Sequence, residues 1–198
     1  MDERLKKQVD FILEIDKEKN IFRRTHLSGH GRRENDAEHA WHMAVMAYLL
    51  REYANEEIDV LKTMMMCLIH DVVEIDAGDT YAYDDVNLAT QKEREDKAKE
   101  RIYALLPKDQ EQEMKELFDE FEAGESPEAR FAHALDNFQP LLLNNSNDGA
   151  DWREHDIDEV HVYRRHAATK AGSERLYEET DKMLQDNIKK GNIIRGSR

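Results

Sequence analysis

Residues 64–74 read Met64-Met65-Met66-Cys67-Leu68-Ile69-His70-Asp71-Val72-Val73-Glu74. The apolar run up to Ile69 has neither the alternation of a half-buried strand nor a glycine or proline, and it reads as the buried second half of a helix over about 57–72. A titratable His-Asp pair at the end of such a helix is expensive to bury unless it is paired or bound to a cation. The stretch therefore makes two demands at once: a helical core around it, and a charged partner for His70 and Asp71.

Helical signals continue on both sides. Leu5, Val9, Ile12, Leu13 and Ile15 share one face of a helix over about 3–18. A loop containing Ser28-Gly29-His30-Gly31 follows. A second helix opens at Asn35, with Glu38 three residues on as a capping-box partner, and runs to about Tyr53. Asp76 to Asp85 reads as an acidic loop around Gly78, and about 86–105 and 108–122 as charged helices. Ser126-Pro127-Glu128 is a helix start, with Ser as cap and Pro in the first turn. The helix it opens carries Phe131, Leu135, Phe138, Leu141 and Leu142, and Pro140 is expected to bend it. Asn144 to Asp151 is expected as a polar loop. A final helix over about 157–190 ends at Gly191. No stretch alternates convincingly as a strand, and there is no internal repeat. The expectation is an all-α, single-domain helical bundle over 1–198, with its core at about 5–145 and a frayed tail over 192–198.

Composition narrows the class. The 198 residues are 39% apolar and 37% charged, with a net charge of −15. Such an acidic chain is a poor match for a long nucleic acid backbone, although a small phosphorylated ligand can be met locally by a metal or a few arginines. The apolar run Met43 to Leu50 is far too short to span a membrane, and Met1 to Lys7 lacks a secretory apolar stretch. The one cysteine, Cys67, sits in the apolar run and reads as core, which fits a reducing, cytoplasmic setting. The methionines Met43, Met46, Met64, Met65 and Met66 read as core filler for the same reason.

His-Asp dipeptides are cheap: nine His and 20 Asp in 198 residues give about one by chance. There are two. His155-Asp156 lies in the polar stretch Trp152 to Asp158 and needs no role beyond a surface loop. His70-Asp71 is joined by Glu38-His39, at the start of the second helix, and by Asp136, an acid inside the apolar stretch Ala134-Leu135-Asp136-Asn137-Phe138. Different helices would thus lend groups to one cavity, as in metal sites inside bundles. Two imidazoles and two carboxylates suit one divalent ion such as Mn, Co, Zn, Fe or Mg, and disfavour an all-oxygen calcium cage.

The order His, His-Asp, Asp on successive helices resembles the HD-domain metal-dependent phosphohydrolases. Arg33-Glu34-Asn35-Asp36-Ala37-Glu38-His39-Ala40-Trp41 is similar to the first motif of the bacterial 5′-deoxynucleotidase-like branch; His70-Asp71-Val72-Val73-Glu74 with Gly78-Asp79 resembles the second. The resemblance covers about residues 5–145 and, more weakly, the final helix, and it implies a bundle of the HD type. It implies His39, His70, Asp71 and Asp136 as metal ligands, Asp71 and Glu74 in catalysis with Glu74 as general acid or base, and a metal that polarises phosphate and lowers the pKa of water. It implies substrate contacts at Arg23 or Arg24, at Asp79 on a sugar hydroxyl, at Thr80 beside Tyr81, and along His39 and Asp136. The similar nucleotidases carry Arg followed by Trp where this chain has Arg23-Arg24-Thr25.

The implied function is a phosphomonoesterase acting on nucleoside 5′-monophosphates, in a protein that is often a homodimer, with 86–122 flanking the interface. Two rivals remain: a phosphodiesterase or pyrophosphohydrolase on cyclic or polyphosphorylated nucleotides, which a second metal would favour, and a non-catalytic metal-stabilised module that binds a nucleotide or a partner protein. His42 reads as a packed helix residue, and Arg32 and Arg33 as surface charges.

Overall fold

The computed structural model describes residues 1–79 and 85–196. It is built of helices: α1 (Glu3–Ile15), α2 (Asp36–Leu50), α3 (Val60–Ile69), α4 (Glu74–Ala77), α5 (Asp85–Tyr103), α6 (Lys108–Ala123), α7 (Pro127–Ser146), α8 (Ala150–Glu154), α9 (Glu159–His166), α10 (Thr169–Gly172) and α11 (Glu174–Lys190). Among the described residues, no helix is long and apolar enough to cross a membrane.

The expected helix starts are where the capping chemistry puts them. Asn35 accepts from the Glu38 N–H while Glu38 reaches back to the Asn35 N–H, a reciprocal box that sets the first turn of α2. Ser126 caps α7 with Pro127 behind it, and Gly191, in the left-handed region, ends α11. The core also follows the apolar pattern. Met43, Met46, Met66, Cys67, Phe131 and Leu135 pack α2 and α3 against α7, and burial pushes the Cys67 thiol well up from its ordinary range. Ile69, Val72, Val73, Ile102, Tyr103 and Phe118 form a second cluster between the end of α3 and the charged helices α5 and α6. Leu141, Trp152, Val162 and Leu184 form a third, which ties α7 to the C-terminal helices.

Three expectations are corrected. The segment after α1 is not all loop: Phe22–His26 (β1) and Arg33–Asn35 (β2) pair antiparallel, with an irregular register between the pairs Phe22 with Asn35 and His26 with Arg33. Its strand Phe-Arg-Arg-Thr-His has no apolar face, so it leaves no period-two signal. The hairpin is held by long-range polar contacts instead: both Asp151 oxygens engage His26, one from its backbone N–H at 3.1 Å and one at Nδ1 at 2.6 Å, and Asn147 accepts from the His30 N–H at 2.9 Å. The polar stretch 144–151 is partly helical, since α7 runs to Ser146 and α8 starts at Ala150. Finally, the long C-terminal helix is broken into α9, α10 and α11. Ser173 is extended and caps α11 through the Leu176 N–H, and Gly172 lies so close to the Arg130 carbonyl that an added Cβ would come within 2.0 Å of it. A straight helix here would drive side chains into α7.

Candidate metal centre

The centre gathers side chains from β1, from the starts of α2 and α4, from the end of α3 and from the middle of α7. His39 is one turn into α2 and fully buried; Asp36, three residues before it on the same face, is fully buried too. His70 ends α3, and Asp71 begins the tight turn into α4, where the Glu74 N–H bonds the Asp71 carbonyl at 2.8 Å. That turn brings Glu74 back to the same side as Asp71. Asp136 comes from α7.

Asp136 Oδ1 stands 3.2 Å from His39 Nε2 and 4.0 Å from His70 Nε2, and Asp71 Oδ2 stands 3.1 Å from His70 Nε2 and 4.0 Å from His39 Nε2. The four predicted ligand side chains thus converge, although they lie 97 residues apart at the extremes. Ligand atoms of His39, His70 and Asp136 all lie within 4.8 Å of one another.

The outer nitrogens decide what the inner ones can do. His70 Nδ1 faces the Cys67 carbonyl at 3.0 Å, so Nδ1 carries the proton. His39 Nδ1 faces Gln139 Oε1 at 3.0 Å, and Gln139 is oriented by its own amide, whose Nε2 donates to Glu34 Oε1 at 2.7 Å and to His42 Nδ1 at 3.1 Å. Both imidazoles therefore turn a lone pair on Nε2 toward the carboxylates, the tautomer a metal-binding histidine needs. His70 Nε2 is buried and makes no hydrogen bond. A lone pair aimed at two carboxylates is a poor ion pair and a good cation site, so the donor set fits one divalent ion of the borderline or hard class.

Electrostatics around the site are severe. Burial raises the Asp71 carboxyl, but the charges of His70 and Arg23 outweigh it and hold Asp71 far below its ordinary range. Asp136 is likewise held well down, burial being overcome by the hydrogen bond with His39 and the charge of Arg165. Without a cation, burial lowers His70 but Asp71 and Asp136 outweigh it and push His70 up to about 9, so that a proton takes the Nε2 position whose lone pair a divalent ion would use. On the other side, burial and the charge of Asp71 push Asp36 up to about 7 and Glu74 well above the usual carboxylate range. Glu18, behind the site, is driven up to about 8 by burial and by Asp71 and Asp36.

The arginines divide sharply. Arg23 Nη1 bonds Asp71 Oδ2 at 2.7 Å, lies 3.5 Å from Asp36 Oδ1, and Arg23 Nη2 lies 3.9 Å from Asp136 Oδ1. Arg24, one residue along the strand, is exposed and starts from the opposite face. Asp79 joins Asp36 and Glu74 in a second group with ligand atoms within 4.8 Å of one another. Thr80 and Tyr81 lie outside the described residues. His155-Asp156 is far from the centre in role: it follows α8, with Asp156 in the left-handed region. A third donor group, His26, Asp151 and Glu154, is accounted for by the hairpin clamp described above.

The sequence assigns no role to four residues of the site, although two of them, Glu34 and Asp36, lie inside the first motif. Asp36 and Gln139 could have been found by helical spacing, three residues from His39 and Asp136 respectively. Glu34 and Arg165 could not, because their places depend on the hairpin and on α9.

The HD domain family model matches residues 15–177. The human 5′-deoxynucleotidase HDDC2 is 32% identical over 111 residues, covering 56% of this chain and 53% of that protein. The Schizosaccharomyces pombe 5′-deoxynucleotidase hdd1 is 29% identical over 112 residues, 54% and 55% of the two chains. The chain spans about half the length of the curated relatives it matches. The crystal structure of a predicted metal-dependent phosphohydrolase from Magnetospirillum magnetotacticum MS-1 superposes with a TM-score of 0.91 at 45% identity, over 96% of this chain and 95% of that one.

Proposed function

Because the chain belongs to the HD domain family, we propose that it is a metal-dependent phosphohydrolase that releases phosphate from nucleoside 5′-monophosphates. The observation that carries this reading is the pair of buried imidazoles whose Nδ1 protons are taken by Cys67 and Gln139, leaving two Nε2 lone pairs against Asp71 and Asp136. His39, His70, Asp71 and Asp136 are the residues we assign to one divalent ion, of the Mn, Co, Zn, Fe or Mg class. Such an ion supplies Lewis acidity toward a phosphate oxygen and lowers the pKa of water.

The protein's own groups do the rest. Arg23 neutralises Asp71 and keeps its carboxylate oriented. Glu74 is assigned to proton transfer: it stands beside Asp71, and burial and the Asp71 charge hold its carboxyl above the ordinary range, which favours its protonated form. In the proposed reaction, the water oxygen bonds to phosphorus, the phosphorus–O5′ bond breaks, and the leaving nucleoside oxygen ends with a proton. Asp79, in the second acidic group, is assigned to a sugar hydroxyl.

The experiment is a panel of ribo- and deoxyribonucleoside 5′-monophosphates, assayed with Mn, Co, Zn, Fe and Mg in turn. Phosphate release from at least one of them, lost on chelation, supports the reading; no turnover of any phosphoester, mono- or diester, leaves only the non-catalytic alternative. The group Asp36, Glu74 and Asp79 favours, as a second reading, a two-metal enzyme acting on phosphodiesters or pyrophosphates; two metals per chain, with diester cleavage, would select it.

A homodimer belongs to the same proposal. Trp41, Val45, Tyr48 and Leu49 form an exposed apolar stripe on α2, and Leu61 and Leu68 stand exposed on α3, which packs against it. Such a stripe is the kind of surface a second copy covers. The stripe is a more apolar candidate for that interface than 86–122, where no large apolar side chain among the described residues is strongly exposed. Sedimentation of a Trp41→Glu variant as monomer, against a dimeric parent, tests it. A cytoplasmic setting is proposed with it, on the buried free thiol of Cys67.

A further inference from the structure

We propose that residues 192–194, a strap that follows α11, hold the metal ligand Asp136 in place from outside the centre, through α9 and its Arg165. The inference rests on the metal-site reading above and deepens it, by assigning positioning residues to that centre.

Each of the four assigned ligands has an outer partner that is not itself a ligand. His39 has Gln139 at 3.0 Å, His70 has the Cys67 carbonyl at 3.0 Å, and Asp71 has Arg23 at 2.7 Å. These partners belong to α7, α3 and β1, elements that line the centre themselves. Asp136 is the exception. Its side chain is 22% exposed, against 11% for Asp71, 5% for His70 and 0% for His39, and Arg23 approaches it only to 3.9 Å. Its outer partner comes from α9: Arg165 Nη2 lies 3.7 Å from Asp136 Oδ1 and 3.5 Å from the Asp136 carbonyl, while Arg165 Nε donates to Asn137 Oδ1 at 3.1 Å. Pro140, four residues on, has no N–H for that carbonyl, so the guanidinium meets a backbone acceptor that α7 leaves open.

A helix of eight residues does not fix its own position; what packs on it does. Val162 and His166 bury one face of α9. The strap sets its start. The Ile194 N–H donates to the Ile157 carbonyl at 2.9 Å, and the Ile194 carbonyl accepts from Glu159 at 2.8 Å, an N–H of the first turn that has no partner within the helix. Ile193 is buried among Trp152, Val162 and Leu184. Asn192 ties the strap to α11 and α8: its N–H and Nδ2 donate to the Asn187 carbonyl and Oδ1 at 2.9 and 2.8 Å, and Arg153 donates to its Oδ1.

This corrects the frayed tail expected over 192–198, since 192–194 are bound through backbone and side chains alike; Ser197 and Arg198 lie outside the described residues. The glycine stop at Gly191 ends the helix without ending the fold. A strap that fixes the start of α9 thereby fixes where Arg165 stands against Asp136.

The test uses the full chain, stripped of metal and titrated with Co, as the parent, Ile194→Pro, Arg165→Gln, Arg165→Lys and the Ile194→Pro, Arg165→Gln double variant. Ile194→Pro removes one strap bond while its side chain, 49% exposed, leaves the core alone; Ile193→Ala replaces it if it does not fold. Hydrogen exchange of the α9 amides is read beside Co affinity. Ile194→Pro is expected to lose α9 protection and to weaken Co binding by about 3- to 30-fold, the range of couplings carried through packed elements. Arg165→Gln should weaken it by about tenfold or more, the cost of losing a ligand's outer partner, and Arg165→Lys should recover part. In the double variant, the strap change should add less than twofold. Co affinity within twofold of the parent, in an Ile194→Pro protein that has lost α9 protection, makes the strap merely structural and overturns the proposal. A full additional loss in the double variant overturns the route through Arg165. If the parent binds no divalent ion, the metal-site reading falls and takes the claim on Asp136 with it; α9 exchange still reports separately, and equal protection in parent and variant overturns the strap.

Discussion

Gln139 Oε1 lies 3.0 Å from His39 Nδ1, with both side chains fully buried. The amide has no freedom to flip, because its Nε2 is held by Glu34 and His42. Gln139 thus sets which nitrogen of His39 is free for a cation. Gln139→Leu should lower the affinity for the divalent ion by about 10- to 100-fold, the usual cost of losing such a partner. Metal titration of the folded variant checks this, and an unchanged affinity removes Gln139 from the site.

Asp136→Ala should lose both metal and turnover, since Asp136 Oδ1 is the oxygen nearest His39 Nε2. Stoichiometric metal in the purified variant would take Asp136 out of the ligand set.

Glu74→Gln should retain metal and lose about 10²- to 10⁴-fold in kcat, the range of a missing general acid or base. A kcat equal to the parent's would return Glu74 to a structural role.

Removing the metal should destabilise the fold. Without a cation, Asp36, Asp71 and Asp136 share one buried space with Arg23 as their innermost counter-charge. Thermal melts of chelated protein should rise on adding Mn or Mg, with a concentration dependence set by mass action. Coincident melts with and without divalent ions would contradict the site.

Glu18 gives a pH dependence to the metal-free protein. Its carboxyl is raised to about 8 in the fold, by burial and by Asp71 and Asp36, from an ordinary 4.5. Between these values, the folded state holds a proton that the unfolded state has released, so stability falls as pH rises through that window. Glu18→Gln should therefore melt higher than the parent at pH 8 and with it near pH 4. Equal melting at both pH values would show that Glu18 is solvated.

Much of this was readable in one dimension. The apolar run ending in His70-Asp71, the capping box at Asn35 and Glu38, and the Ser126-Pro127 start are local chemistry, and local chemistry survives in the fold because the groups that satisfy each other are three or four residues apart. The ligand residues stood out because an acid or imidazole inside an apolar helix is costly to bury unless a charged group or a cation meets it there. The hairpin was invisible because Asp151 and Asn147, more than a hundred residues on, hold it. The break between α9 and α11 was equally hidden, because Gly172 packs there against the backbone of Arg130, about forty residues earlier in the chain.

The sequence by itself determined the helices, their caps and the kinds of side chain available to a cation, since these depend on neighbours along the chain. Only the tertiary structure decided which arginine faces the centre and which nitrogen of His39 is free. Those outcomes turn on distances of a few ångströms between helices, and no pattern along the chain encodes the angle at which two helices meet.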